Sequence, residues 1–287
     1  MRILLQQKMQ RYWISFVAFI TVFSLSACTA VQSTQSGAVG LDRKQYMMVS
    51  AQAVTDQALR SYMTDMKDYK TKGKLNQDPK QLTRLRRIMN RIVPQIGIFR
   101  PDAQKWKWEV NLIESDLINA YCMPGGKIAF YTGILRTLKL TDDEIAAVMG
   151  HEIAHALREH SREKLSQAYA QQIILGGIAL TSKKAREGST MTVLQTLGVV
   201  GFQLPNSRDM EAEADIVGLE LMARAGYNPE AAVSLWRKMA AQDKTPNIPL
   251  LSTHPTDQAR ITKIQSYLPK VMPLYQQAVS SYSYQKK

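Results

Sequence analysis

One pentapeptide constrains this chain more than any other feature: His151-Glu152-Ile153-Ala154-His155, set inside a helical pattern that runs from Thr141 to about Ala170. Thr141-Asp142-Asp143-Glu144 is a strong helix start, with Thr141 as the cap and carboxylates in the first turn. Histidines at i and i+4 lie on one helical face about a turn apart, so both imidazoles can bind a single zinc ion at about 2.0–2.1 Å. Glu152 is offset around the helix and can reach a zinc-bound water. Such a water has its pKa lowered toward about 7, and Glu152 can take its proton and later protonate a leaving amine. Ile145, Ala146, Val148 and Met149 bury the same helix, as a rigid metal platform requires.

A catalytic zinc needs a third protein ligand and one open position. Glu211-Ala212-Glu213-Ala214-Asp215 offers a carboxylate pair at i and i+4. Glu211 could bind the metal while Asp215 accepts a hydrogen bond from a ligand imidazole and fixes its tautomer. Glu213 points away from that face and is the weaker choice. His160 lies five residues beyond His155 on the same expected helix, so its ring should point elsewhere.

The remaining pattern predicts an α+β, mostly helical fold with a small sheet beside the HExxH helix. Helices are expected from Met47 to Tyr69, Pro79 to Ile92, Ser207 to Ala225, Pro229 to Gln242 and Thr256 to Tyr267. Trp106 to Leu112 alternates like a half-buried strand, and Lys127 to Tyr131 follows the Pro124-Gly125-Gly126 turn as another. Two apolar stretches, Ile173 to Leu180 and Val193 to Leu204, are each too short to cross a bilayer. They read as buried helices, with membrane-dipping segments as the alternative.

Several motifs in order resemble one family: Asn119-Ala120 with Pro124-Gly125-Gly126, the His151 to His155 motif, Ser207-Arg208 with Glu211 and Ala214-Asp215, and Ser252-Thr253-His254-Pro255 with Arg260-Ile261. It is the membrane-associated zinc metallopeptidases, which include CAAX prenyl proteases, HtpX-like and Oma-type proteases and BepA- and LoiP-like periplasmic proteins. The resemblance covers roughly residues 80–268. It implies a gluzincin-like domain with one zinc per chain, held by His151, His155 and Glu211, with Glu152 as general base and Asp215 as support. By the same resemblance His254 sits on a loop where it can cap the open zinc position; it could instead donate to the oxyanion or simply stabilise its own turn. Lys127 to Tyr131 resembles the family's edge strand, able to pair with an extended substrate. The lack of a tetratricopeptide extension and of multiple spanning helices places the chain beside the short LoiP-like lipoproteins.

The amino terminus has the layout of a secretory signal, with Arg2, Lys8 and Arg11 before an uncharged run from Tyr12 to Ser24. That run is shorter than the about 20 apolar residues of a comfortable transmembrane helix. Leu25-Ser26-Ala27-Cys28 resembles a bacterial lipobox, which implies lipidation of Cys28 after removal of residues 1–27. Thr29 is not the aspartate that retains lipoproteins in the inner membrane, so the expected location is the periplasm, anchored to the outer membrane. Residues 28–45, rich in Ser, Thr, Gln and Gly, read as a flexible tether, residues 46–270 as the peptidase domain and residues 271–287 as a polar tail.

Composition narrows the partners. The 45% hydrophobic and 21% charged content is that of a folded domain, against extended disorder or a multi-span protein. The formal charge of +13 reads first as a solvated basic surface, with contact to anionic lipid headgroups or envelope polymers as the alternative, and no nucleic-acid motif accompanies it. With Cys28 lipidated, Cys122 has no partner and no disulfide framework exists. The expected partners are unfolded or misassembled envelope proteins, the membrane through the lipid, and the outer-membrane assembly machinery.

Overall fold

The computed structural model describes residues 29–176, 205–242, 248–254 and 258–285. The signal segment, Cys28 and most of the two apolar stretches lie outside the described residues; only residues 173–176 of the first stretch are described, as the end of a helix. No helix among the described residues is long and apolar enough to cross a membrane.

Two strands open the chain, β1 (Thr29–Val31) and β2 (Gln45–Met47), paired antiparallel. Helix α1 (Ala51–Thr71) starts on the Ser50 cap, and α2 (Pro79–Ile92) on the Asp78 cap with Pro79 in its first turn. Strands β3 (Glu109–Ile113), β4 (Ala120–Met123) and β5 (Lys127–Tyr131) form a sheet in the order β3-β5-β4, with β5 parallel to β3 and antiparallel to β4. The short α3 (Thr132–Thr137) leads to α4 (Asp142–Leu157), which carries the HExxH motif, and α5 (His160–Gly176). Then follow α6 (Arg208–Arg224), α7 (Glu230–Ala241), α8 (Pro249–Thr253) and α9 (Gln258–Gln285). The fold is mostly helical, with the small sheet against α4, as its pattern predicts.

Helix α4 is the hub. Thr141 and Glu144 form a reciprocal capping box at its start, and Glu144 also accepts hydrogen bonds from Ser234 and Lys238 of α7. From Glu144 to Leu157 every residue is buried. Helix α6 crosses α4 where two glycines meet. A Cβ at Gly150 would lie 2.8 Å from the Gly218 carbonyl oxygen, and one at Gly218 would lie 2.7 Å from the His151 backbone nitrogen. Only two residues without Cβ permit this approach, which brings the carboxylates of α6 up to the histidines of α4.

Several sequence expectations are corrected. Residues 29–45 are not a loose tether: Val39 and Leu41 join the main core, Gln45 is buried, and Arg43 pairs with Glu163 and Glu213. The tail from residue 271 is not separate, because α9 runs through Pro269 and Pro273 and buries Val271. The strand expected from Trp106 begins at Glu109, with Trp106 and Trp108 stacked at 5.5 Å before it. Lys127 to Tyr131 is the central strand, buried throughout, and β4 holds the edge beside the cleft.

The helix expected to run unbroken to Ala170 stops at Leu157 and restarts at His160. Glu159 adopts φ +52°, a left-handed conformation uncommon for a side chain of this kind. The guanidinium of Arg158, fully buried, holds the break by donating to Glu213, Ser33, Thr34 and the Arg43 carbonyl. No glycine or proline marks the break in the sequence.

Candidate metal centre and active site

His151, His155, Glu211 and His254 converge from three elements, with one ligand-capable atom of each lying within 4.8 Å of the others. All four are buried. His151 Nε2 and His155 Nε2 are 3.0 Å apart, and Glu211 Oε1 lies 3.3 Å from His155 Nε2. His254, at the end of α8, brings its Nδ1 to 2.9 Å from Glu211 Oε1 and 3.2 Å from His151 Nε2. It therefore joins the ligand cluster itself.

The support around the ligands is hydrogen-bonded throughout. His151 Nδ1 lies 2.9 Å from Asp215 Oδ1; the carboxylate oxygen accepts, so Nδ1 carries a proton and Nε2 is the nitrogen turned to the cluster, its lone pair available once a metal is bound. Arg260 donates to both Asp215 oxygens at 2.6 and 2.8 Å, sits 2.8 Å from Glu211 Oε2, and stacks 3.4 Å over the Trp236 ring. Asn206 donates to Glu211 Oε1 at 2.7 Å.

Electrostatics favour a cation at the centre. Burial pushes the His151 pKa down, but Glu211 and Asp215 more than offset this and raise it to about 9. Burial would raise Glu211, yet His254, His151 and His155 hold it well below the usual carboxylate range. His155 is pushed well below its ordinary value by burial, so its ring is neutral. Three buried imidazoles with close nitrogens and a buried carboxylate are a donor set for zinc, which binds His and Glu and has no demand beyond about four ligands. The residues present fit that metal.

Glu152 is placed for base work. Its Oε1 is buried without a hydrogen-bond partner among the described residues, with His254 Nε2 3.6 Å away. Burial raises its pKa, and His254 and His151 oppose that rise. Glu152 faces a cavity of about 160 Å³ lined on the other side by Tyr121 and Met123 of β4 and Asp65 of α1. Lys164 of α5 lines the same cavity; burial lowers its pKa to about 8 against the attraction of Glu211 and Glu152.

All six chemical residues expected from the sequence, His151, Glu152, His155, Glu211, Asp215 and His254, meet in one place. Cys28 lies outside the described residues. Cys122 is buried and its thiol pKa is raised well above normal by burial, in keeping with an inert core side chain. Glu213 binds no metal ligand and instead gathers Arg43, Arg158 and His160. His160, expected to point elsewhere, lies 2.7 Å from His155 because the break at Glu159 turns it back. Arg260 was visible as part of a motif, but its grip on Glu211 and Asp215 carried no signature in the spacing.

Residues 79–268 match Peptidase family M48. The chain is 32% identical over 231 residues to the mitochondrial metalloendopeptidase OMA1 of Schizosaccharomyces pombe, an alignment covering 80% of this chain and 65% of that one. The human metalloendopeptidase OMA1 is 31% identical over 61% of this chain and 35% of its own. The Beta-barrel assembly-enhancing protease of Yersinia pestis is 28% identical over 56% of this chain and 35% of its own. The chain thus spans about two-thirds or less of these relatives' lengths. With two buried histidines and a glutamate gathered around one point, and the family pattern matched over well more than half its residues, the chain belongs to peptidase family M48.

Proposed function

We propose that this chain is a zinc-dependent endopeptidase of the cell envelope that cleaves misfolded or misassembled envelope proteins. The convergence of His151, His155 and Glu211 on one point, with the unpartnered carboxylate oxygen of Glu152 beside it, carries this reading. Zinc is the metal of the family, and when bound it supplies a Lewis acid that polarises a carbonyl and acidifies water. Glu152 Oε1 accepts the proton of the attacking water and returns it to the leaving amine. Asp215 keeps His151 Nε2 aimed inward, and Arg260 holds Asp215 and Glu211 in place. The outer edge of β4, which pairs with no further strand among the described residues, can take up an extended segment by backbone pairing, which reads little sequence and suits unfolded substrates.

The envelope setting rests on the signal-like segment and the lipobox-like Leu25 to Cys28, and the quality-control role on likeness to a relative named for β-barrel assembly. Anchoring to the outer membrane through Cys28 belongs to the same proposal. A second reading, a latched assembly factor or chaperone with little basal proteolysis, is favoured by one observation: His254 Nδ1 stands among the ligand atoms, where it can fill the position a substrate needs.

Casein cleavage by the purified protein, beside its Glu152→Gln variant and with zinc measured on both, tests the activity. Cleavage by the first alone with about one zinc in each supports the endopeptidase. Zinc in both and cleavage by neither favours the latched protein. Radiolabelled palmitate entering the unaltered chain and not Cys28→Ala would support the anchor; equal labelling would reject it.

A further inference from the structure

Behind His155 lies a line of contacts that the motif spacing does not contain. His155 Nδ1 is 2.7 Å from His160 Nδ1, and His160 Nε2 is 3.0 Å from Glu213 Oε2. The same oxygen accepts from Arg158 at 2.9 Å and from Arg43 at 3.1 Å. Arg43 belongs to the segment between β1 and β2, and also makes a two-pronged pair with Glu163 at 2.7 and 2.9 Å. His160, Glu213 and Arg158 are buried.

Hydrogen-bond logic sets the direction of every proton in this line. Glu213, clamped by two guanidinium groups, has only acceptor atoms, so His160 Nε2 donates to it. A neutral imidazole with its proton on Nε2 has a lone pair on Nδ1, and that lone pair faces His155 Nδ1. His155 Nδ1 therefore donates, which leaves the His155 Nε2 lone pair as the atom facing Glu211 and His151. His151 reaches the same state through one carboxylate, Asp215; His155 reaches it through a second imidazole.

We propose that His160 is the positioning residue for the metal ligand His155, oriented by Glu213 and by Arg43 of the amino-terminal segment, so that this segment completes the metal centre. The proposal rests on the zinc reading above. It also explains why the loop after β1 is locked to α5 and α6 by ion pairs when its composition suits a free linker. An amino-terminal strap that merely covered the core would need apolar side chains such as Val39 and Leu41, not a guanidinium aimed at Glu213.

Zinc affinity of the purified full chain, measured by competition with a chromophoric chelator, is the test, with the melting of the metal-free protein followed alongside. His160→Leu is expected to weaken zinc binding about 10–100-fold, the usual cost of losing an outer hydrogen-bond partner. His160→Asn, whose amide oxygen can take the same proton from His155, is expected to recover most of that loss. Arg43→Met is expected to weaken binding in the same direction but by less. Unchanged affinity in His160→Leu overturns the proposal, as does equal weakening in His160→Leu and His160→Asn, which would mark His160 as packing alone. Should His160→Leu fail to fold, His160→Phe is read in its place: it keeps a flat ring, removes the nitrogen that takes the proton from His155, and unchanged affinity there is equally fatal. A failure of the unaltered chain to bind zinc would defeat the zinc assignment along with the positioning role, an outcome distinct from all of these.

Discussion

Gly150 and Gly218 touch backbone to backbone, so the helix of the histidines and the helix of the carboxylates lie closer than any side chain would permit. The contact sits one residue before His151 and three after Asp215, and so sets the distance between the metal ligands.

Gly218→Ala is expected to force the two helices apart. Overpacking of this kind costs about 1–3 kcal/mol, and the new Cβ would meet backbone, which cannot move aside as a flexible side chain can. Thermal unfolding should show the loss, and zinc affinity should fall with it. An unchanged melting temperature together with unchanged zinc affinity would show that the helices do not depend on this contact.

Asp215→Ala should weaken zinc binding about 10–100-fold. Two effects combine: His151 Nδ1 loses its acceptor at 2.9 Å, and Arg260 loses the two carboxylate oxygens to which it donates. Chelator competition measures this directly. Full zinc affinity in the variant would remove Asp215 from the centre.

His254→Ala is expected to raise basal hydrolysis on the order of tenfold, since a latch held by one charge-assisted hydrogen bond is worth about 1.5 kcal/mol. The bond concerned joins Nδ1 to Glu211 Oε1. Initial rates on casein at saturating zinc decide it, and a rate that stays level or drops rejects the latch.

Acid stability should carry the mark of Glu213. Burial would raise its pKa, but hydrogen bonds from His160, Arg43 and Arg158 lower it from an ordinary 4.5 to about 2. A depressed carboxylate contributes its full stability above the unfolded value and loses it as pH falls through the folded one. The zinc-free protein should thus lose stability between pH 4.5 and about 2, and Glu213→Gln should lose less over that window while being less stable at neutral pH. Parallel curves for the two proteins in denaturant titrations at several pH values would contradict this.

Local rules carried much of the architecture. The Thr141 capping box, the span of α2, the strand Lys127 to Tyr131 and the pairing of His151 with His155 all follow from neighbours in sequence and from the 3.6-residue repeat. Glu211 and Asp215 were legible for the same reason, as two carboxylates one turn apart. What the spacing of a helix cannot contain is its interruption. The break at Arg158 and Glu159 depends on a guanidinium buried against Ser33, Thr34, Arg43 and Glu213, partners far away in the chain.

From that break came the features that pattern alone missed. His160 turned back onto His155, and Glu213 became a buried collector of positive groups. Residues 29–45 looked like a linker because they are polar, yet polarity was what they needed to satisfy buried charges, while Val39 and Leu41 anchored them apolarly. The sequence by itself determined which residues bear the chemistry and which helix faces hold them, because these depend on neighbours a turn apart. Only the tertiary structure decided how the ligands are oriented and what closes the site, because hydrogen-bond direction and burial of charge are settled between elements distant in the chain.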